Sequence, residues 1–218
     1  MSTNPNPDES LFRSDWPRSG KRMSVEEFHQ LERLSPDRKY EYLNGVAYMM
    51  AGGSVGHDRI RRNIENALDQ VCDTGPCAVF GPDVQVRVGT KKNGRPHFLY
   101  PDATVSCNPR DGEIDNTLVE YPRLVVEVLS PGTEAKDRGV KFQAYQEKET
   151  IQEIVLINQF AQYVEIWQRN EEEPENPKKW HYRHYGPGEI INLVSMHSHI
   201  EMAKVYRGVT FDEGETEE

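Results

Sequence analysis

At 218 residues the chain is long enough for one sizeable core and short for two full domains. A formal net charge of -10 speaks against a general phosphate binder, which is usually basic, but leaves room for a small basic patch around an acidic metal site. No apolar run reaches membrane-span length and the N-terminus lacks a signal peptide's apolar core, so the chain is expected to be soluble and cytoplasmic. Cys72, Cys77 and Cys107 form no Cys-x-x-Cys pair and no disulfide framework, which fits a reducing compartment and carries no zinc signal.

Residues 1–20 are rich in Pro, Asn, Ser and Asp without periodicity and read as a disordered tail. Ser24 with Glu27 has the form of a capping box, and Val25, Phe28 and Leu31 give the short helix behind it an apolar face. Tyr40–Leu43 and Val46–Met50 flank Asn44-Gly45, a two-residue hairpin signal. Gly52–Gly56 reads as a flexible connector; with no Gly-Lys-Ser/Thr after it, it is not a phosphate loop. From His57 to Cys72 apolar residues recur at helical spacing, with Arg59, Arg61 and Arg62 near the start.

Strands are expected at Val79–Phe80, Val84–Val88 and Phe98–Val105, with a turn at 91–96 and a loop at 111–116. Leu124–Leu129 is the most apolar strand, as expected of a central strand covered on both faces. Pro131-Gly132 breaks it, and Thr133 to Lys148 continues as a helix. Ile154–Ile157 and Tyr163–Trp167 give two more strands, and 171–179 is a charged insertion. Trp180–Tyr185, Ile190–Val194 and His199–Met202 suggest a terminal β-meander before an acidic tail at 211–218. The whole implies an α/β layer structure with a mixed sheet.

The chemistry gathers between Tyr100 and Tyr145. Asp102 follows Pro101 within an expected strand, where both residue types are disfavoured; it is either a placed ligand or a solvated strand end. Glu127 lies between Val126 and Val128, where a carboxylate is costly to bury unless paired, for instance with Lys141 or Arg138, or bound to metal. Two such acids with a nearby ammonium suit Mg²⁺ or Mn²⁺ rather than a softer metal. Lys141, four residues after Asp137, is an ordinary helical surface pair or a cation that stabilises phosphate charge. Glu41, between Tyr40 and Tyr42, is a further ligand or an exposed strand residue. His57 and Arg59 contact substrate, or cap and solvate the helix start.

Taken together, Lys39–Gly45, His57 with Ile60, Tyr100-Pro101-Asp102, and Leu124–Pro131 with Thr133, Asp137, Lys141 and Tyr145 resemble the Uma2 family of restriction-endonuclease-like proteins. That family lies within the PD-(D/E)XK nuclease superfamily. The resemblance runs from about Met23 to Val209 and implies a single restriction-endonuclease-like domain over 21–210, a mixed sheet flanked by helices. It implies that Asp102 and Glu127 are the two motif acids, that Glu41 is an additional one, and that Ser130 and Tyr145 are supports. The motif's lysine should stand two residues after Glu127, where this chain has Leu129; the resemblance moves it to Lys141.

The function so implied is Mg²⁺-dependent hydrolysis of phosphodiester bonds, with DNA as the expected partner and a homodimer possible for cutting two strands. Two other classes stay open. One is a nuclease fold that no longer cleaves and serves as a binding or assembly module; the other is a phosphodiesterase for a small or non-DNA substrate.

Overall fold

The computed structural model describes residues 20–50, 52–89, 96–113, 117–170 and 180–211. The expected tail (up to residue 19), the turn at 91–95, the insertion at 171–179, the acidic tail from residue 212 and part of the 111–116 loop lie outside the described residues. In chain order the elements are β1 (Lys21–Arg22), α1 (Val25–Leu34), β2 (Tyr40–Leu43), β3 (Val46–Met49), α2 (Val55–Cys72), β4 (Ala78–Phe80), β5 (Gln85–Gly89), β6 (Pro96–Leu99) and β7 (Ala103–Ser106). Then follow β8 (Leu118–Val119), β9 (Pro122–Leu129), α3 (Glu134–Lys136), a π-helical turn (Asp137–Lys141), α4 (Phe142–Glu147), β10 (Glu153–Asn158) and β11 (Val164–Arg169). The last are β12 (Trp180–Tyr185), β13 (Ile190–Leu193), β14 (Ser198–Glu201) and α5 (Met202–Val205). Among the described residues no helix is long and apolar enough to cross a membrane.

Local chemistry explains much of this. Ser24 and Glu27 close a reciprocal capping box on α1. Asn44 and Gly45 both take positive φ, 54° and 78°, as a two-residue hairpin turn that follows strand twist requires. The expected connector at 52–56 ends sooner: the Ser54 side chain accepts the His57 N–H and caps α2, so Val55 and Gly56 belong to the helix.

The expected single mixed sheet is instead two. The first runs β1-β3-β2-β6-β5-β8, with only β5 and β8 parallel. The second runs β12-β11-β10-β9-β7-β4, with β9 and β10 parallel. The segment read as one strand from Phe98 to Val105 is broken at Tyr100-Pro101-Asp102, so β6 serves the first sheet and β7 the second. Pro101 has no N–H to continue a ladder, which gives a physical reason for the crossing there. The expected terminal meander is also corrected. β12 pairs with β11 at the edge of the second sheet, and β13 with β14 forms a separate ribbon.

β9 is interior, as its composition suggests, and its alternation feeds two cores. Leu124, Val126 and Val128 pack with Ile60, Ile64 and Leu68 of α2. Val125 and Leu129 pack with Tyr145 and Ala144 of α4 and with Leu43 and Val86 from the first sheet. Each such side chain, fully buried, contributes roughly 1.5–3 kcal/mol. The second core joins the two sheets, and Glu127 falls on its face. A third cluster, with Phe28, Tyr40, Tyr42 and Phe98, seats α1 on the first sheet.

The cysteine expectation is overturned. The β4–β7 register pairs Ala78 with Ser106, which brings the next residues, Cys77 and Cys107, face to face, and they form a disulfide. Cys72 is free and buried. Thirty residues separate the bonded pair, so only the strand pairing reveals it.

Candidate active site

Three backbone features converge where the sheets meet. On β2, Tyr40 and Tyr42 turn into the α1 core, so Glu41 and Leu43 face the core shared by both sheets. On β9 the same alternation sends Glu127 to that core. The β7–β9 register pairs Ala103 with Val126, so one step back along β7 sets Asp102 opposite Glu127. Glu41 and Glu127 are each 3% exposed.

Lys141 ties them together. Its Nζ lies 2.7 Å from Glu127 Oε1, 3.0 Å from Glu41 Oε1 and 3.2 Å from Asp137 Oδ1. Three carboxylate oxygens thus lie within ion-pair distance of one ammonium. The Tyr145 hydroxyl donates to Glu127 Oε1 at 2.5 Å. Lys136 Nζ stands 3.3 Å from Glu41 Oε2 and 4.6 Å above the Tyr48 ring, while the Tyr100 N–H reaches Glu41 Oε1 at 3.4 Å. The helix expected over 133–148 is interrupted here by the π turn, and both Asp137 and Lys141 are buried within it. Single π turns within helices recur at functional sites.

Asp102 is less deeply buried, with its side chain 15% exposed. Its Oδ2 accepts the Val128 N–H at 2.7 Å and lies 3.4 Å from His57 Nε2, on the first turn of α2. Arg59 is elsewhere: its guanidinium lies beside Gly208, so close that a Cβ there would be 2.8 Å from Nη1. Arg61, one turn after His57, shares the His57 face and feels the Asp102 charge, but it is held by Asp58 and Glu65 at 2.8 Å each. The structure therefore gathers Glu41, Asp102, Glu127, Lys141 and His57, and leaves Arg59 apart.

Among the described residues, Glu41, Glu127 and Asp137 pair only with Lys141 and Lys136, so the cluster holds one carboxylate more than it has ammonium groups. Burial lifts the Glu127 carboxyl well above its ordinary value; Lys141 opposes this, while Asp137, Asp102 and Glu41 add to it. Burial also acts to lift Glu41, but Lys141 and Lys136 outweigh it and hold that carboxyl below its usual range. Burial disfavours the Lys141 ammonium, yet Glu127 and Glu41, with Asp137, keep it protonated far above the normal lysine value. Burial lowers His57, and the Asp102 hydrogen bond and charge reverse this and raise it.

Among the described residues no group of three or more His, Cys, Asp or Glu side chains is disposed to hold a metal ion. Glu41, expected as a third ligand, has its two oxygens engaged by the two lysines. Asp102 and Glu127 nevertheless supply the hard oxygen donors that Mg²⁺ prefers, and Mg²⁺ commonly uses one or two carboxylates with water and substrate phosphate completing its shell. The surplus carboxylate charge favours a cation at the same place. The donor set thus fits the ion.

Lys136 was not legible as a site residue. In Glu134-Ala135-Lys136-Asp137-Arg138 it reads as part of a solvated charge run. Only the π turn, with its five-residue spacing, carries Lys136 and Lys141 to one carboxylate.

Comparison with known proteins bears on this arrangement. A crystal structure titled as a "putative nuclease belonging to DUF820" from Anabaena variabilis superposes with a TM-score of 0.66, covering 84% of this chain and 97% of that one. At 16% identity that likeness speaks for the fold. An uncharacterized protein of Synechocystis sp., slr1290, is 30% identical over 190 residues, 87% of this chain and 94% of its own. A second from the same organism, sll1609, is 27% identical over 148 residues, 67% of this chain and 81% of its own. The Uma2 family model, described as "Putative restriction endonuclease", matches residues 25–194, which include Glu41, Asp102, Glu127 and Lys141. The chain belongs to the Uma2 family.

Proposed function

We propose that this protein is a metal-dependent nuclease that hydrolyses phosphodiester bonds in DNA at the Asp102–Glu127 carboxylate pair. The observation that carries the reading is the position of Lys141. Leu129 occupies the place of the motif's lysine and is buried in the shared core, yet an ammonium from the following helix lies 2.7 Å from the second acid. A buried cation beside two converging acids is what the chemistry needs, whatever element delivers it.

In this reading Asp102 and Glu127 hold Mg²⁺ or Mn²⁺. When bound, the ion supplies a Lewis acid for the scissile phosphate and an acidified water. Lys141 and Tyr145 fix Glu127 from one side, and Lys141 carries the tie across to Glu41. The Val128 N–H and His57 orient Asp102. The resemblance to the superfamily implies 5′-phosphate and 3′-hydroxyl products.

The test is calorimetry with Mg²⁺ and Mn²⁺ on the wild type and on Asp102→Asn with Glu127→Gln, alongside cleavage assays on DNA, RNA and small phosphodiesters. Metal binding and DNA cleavage that both vanish in the double variant support the reading. Cleavage of small phosphodiesters alone would move the substrate class. A wild type that binds DNA but cleaves nothing would leave a nuclease fold retained as a binding module.

A further inference from the structure

Resting on the nuclease reading above, we infer that Lys136, rather than Lys141, is the cation that meets the substrate phosphate. Lys141 is enclosed by acids. Carboxylate oxygens lie 2.7, 3.0 and 3.2 Å from its ammonium, and its side chain is 5% exposed. A phosphate could reach it only by displacing a buried carboxylate. Lys141 is a positioning residue that locks Glu41 on the first sheet to Glu127 on the second.

Lys136 is built differently. Among the described residues it has one carboxylate partner, Glu41 Oε2 at 3.3 Å, and its side chain is 27% exposed. The Tyr48 ring lies 4.6 Å below its Nζ, so the flexible stem is already held by a cation–π contact before any ligand arrives. One N–H direction serves Glu41, the ring supports the ammonium, and donor capacity remains toward solvent. Glu41 is the common anchor, with one oxygen for each lysine. A phosphate oxygen bound at Lys136 therefore lies beside Glu41, whose other oxygen is tied through Lys141 to Glu127. Arg61, a cation that feels the Asp102 charge, is engaged by Asp58 and Glu65.

The experiment is fluorescence anisotropy of a short duplex DNA over a salt series in EDTA, so that cleavage is suspended. For Lys136→Ala the expected result is about tenfold weaker binding, the loss of one charge-assisted contact, and a salt slope shallower by about 0.9. Lys136→Gln keeps a donor to Glu41 without the charge and should show the same shallower slope. Lys136→Arg should restore the slope. Unchanged affinity and slope in Lys136→Ala and Lys136→Gln, with DNA binding intact in the wild type, would overturn the inference and leave the nuclease reading standing. A wild type that neither binds nor cleaves DNA would overturn the nuclease reading, and this inference with it.

Discussion

Two buried glutamates stand on neighbouring parallel strands and meet opposite fates. Glu153 on β10 is fully buried, and its oxygens accept the Val194 N–H at 2.8 Å and the Ser195 hydroxyl at 2.6 Å. Arg123 completes the arrangement by donating to the Ser195 carbonyl at 2.9 Å. Burial raises the Glu153 carboxyl too, with Ser195 and Val194 pulling it back. Its hydrogen-bond partners are fixed neutral dipoles that pin the turn before β14, with the Arg123 charge acting from farther off. Glu127 is held instead by an ammonium and a phenol within a cluster that has carboxylate to spare. Neutral donors satisfy a buried acid and end the matter. Surplus acid around a shared lysine leaves charge that a cation can answer, and that separates a structural carboxylate from one fit for chemistry.

The comparison breaks most decisively at Glu127 itself. Glu127→Gln should lower cleavage by about 10⁴-fold, ~5.4 kcal/mol of barrier, while melting near the wild-type temperature, because the amide oxygen can still accept from Tyr145 and face Lys141 while the cluster sheds its surplus charge. Glu153→Gln should do the reverse and keep specific activity per folded molecule. Equal behaviour of the two variants in cleavage and thermal melts would erase the distinction.

Lys141→Met comes next. It strands buried carboxylates, so denaturant unfolding should reveal a loss of about 3–5 kcal/mol. Ser195→Ala removes one donor from the buried Glu153 and should cost about 1–3 kcal/mol with activity intact. Tyr145→Phe, which removes one of Glu127's two donors, should cost about 1 kcal/mol in stability and shift the pH at which Mg²⁺ binding begins.

The smallest effect is the pH dependence of stability. Glu41 is lowered on folding, so its contribution is full above the ordinary carboxylate value and lost as pH falls through the folded one. Glu127 is raised, so its contribution is full below that ordinary value and declines as pH rises toward the folded one. The two act in adjoining pH windows, Glu41 raising stability within the acid range and Glu127 lowering it above. Glu127→Gln should abolish the fall of Tm above the ordinary carboxylate value and leave the Glu41 rise within the acid range. For the same reason Mg²⁺ affinity should grow as pH climbs through the raised Glu127 value.

The sequence carried those parts of the molecule that depend on near neighbours. Asn44-Gly45 specifies its hairpin, Ser24 and Glu27 their cap, and the Val-rich run its interior strand, because each is a local rule. The acids were legible because Pro101-Asp102 and Glu127 contradict the strand propensity around them. What failed needed knowledge of partners. Period-two alternation marks Phe98–Val105 as extended but does not say that its halves join different sheets. It marks Trp180–Tyr185 as a strand without saying that it turns back to β11. Three cysteines allow three pairings, and only the β4–β7 register selects Cys77 with Cys107. Lys136 stayed hidden because helical arithmetic assumes 3.6 residues per turn throughout.

That assumption has a consequence for insertions and deletions. The π turn at Asp137–Lys141 holds more chain than an α-helical turn, and everything after it is phased accordingly. Deleting one residue there, Gly139 for example, would let the segment relax to an ordinary helix. Lys136 and Lys141 would then stand four residues apart in sequence and, at about 100° per residue, would still share one face. The extra residue is what the π turn absorbs, so the two halves of the cluster would keep facing the same carboxylates. In the genetics of such a protein, a single lost codon in this turn should be far less damaging than the loss of an acid itself.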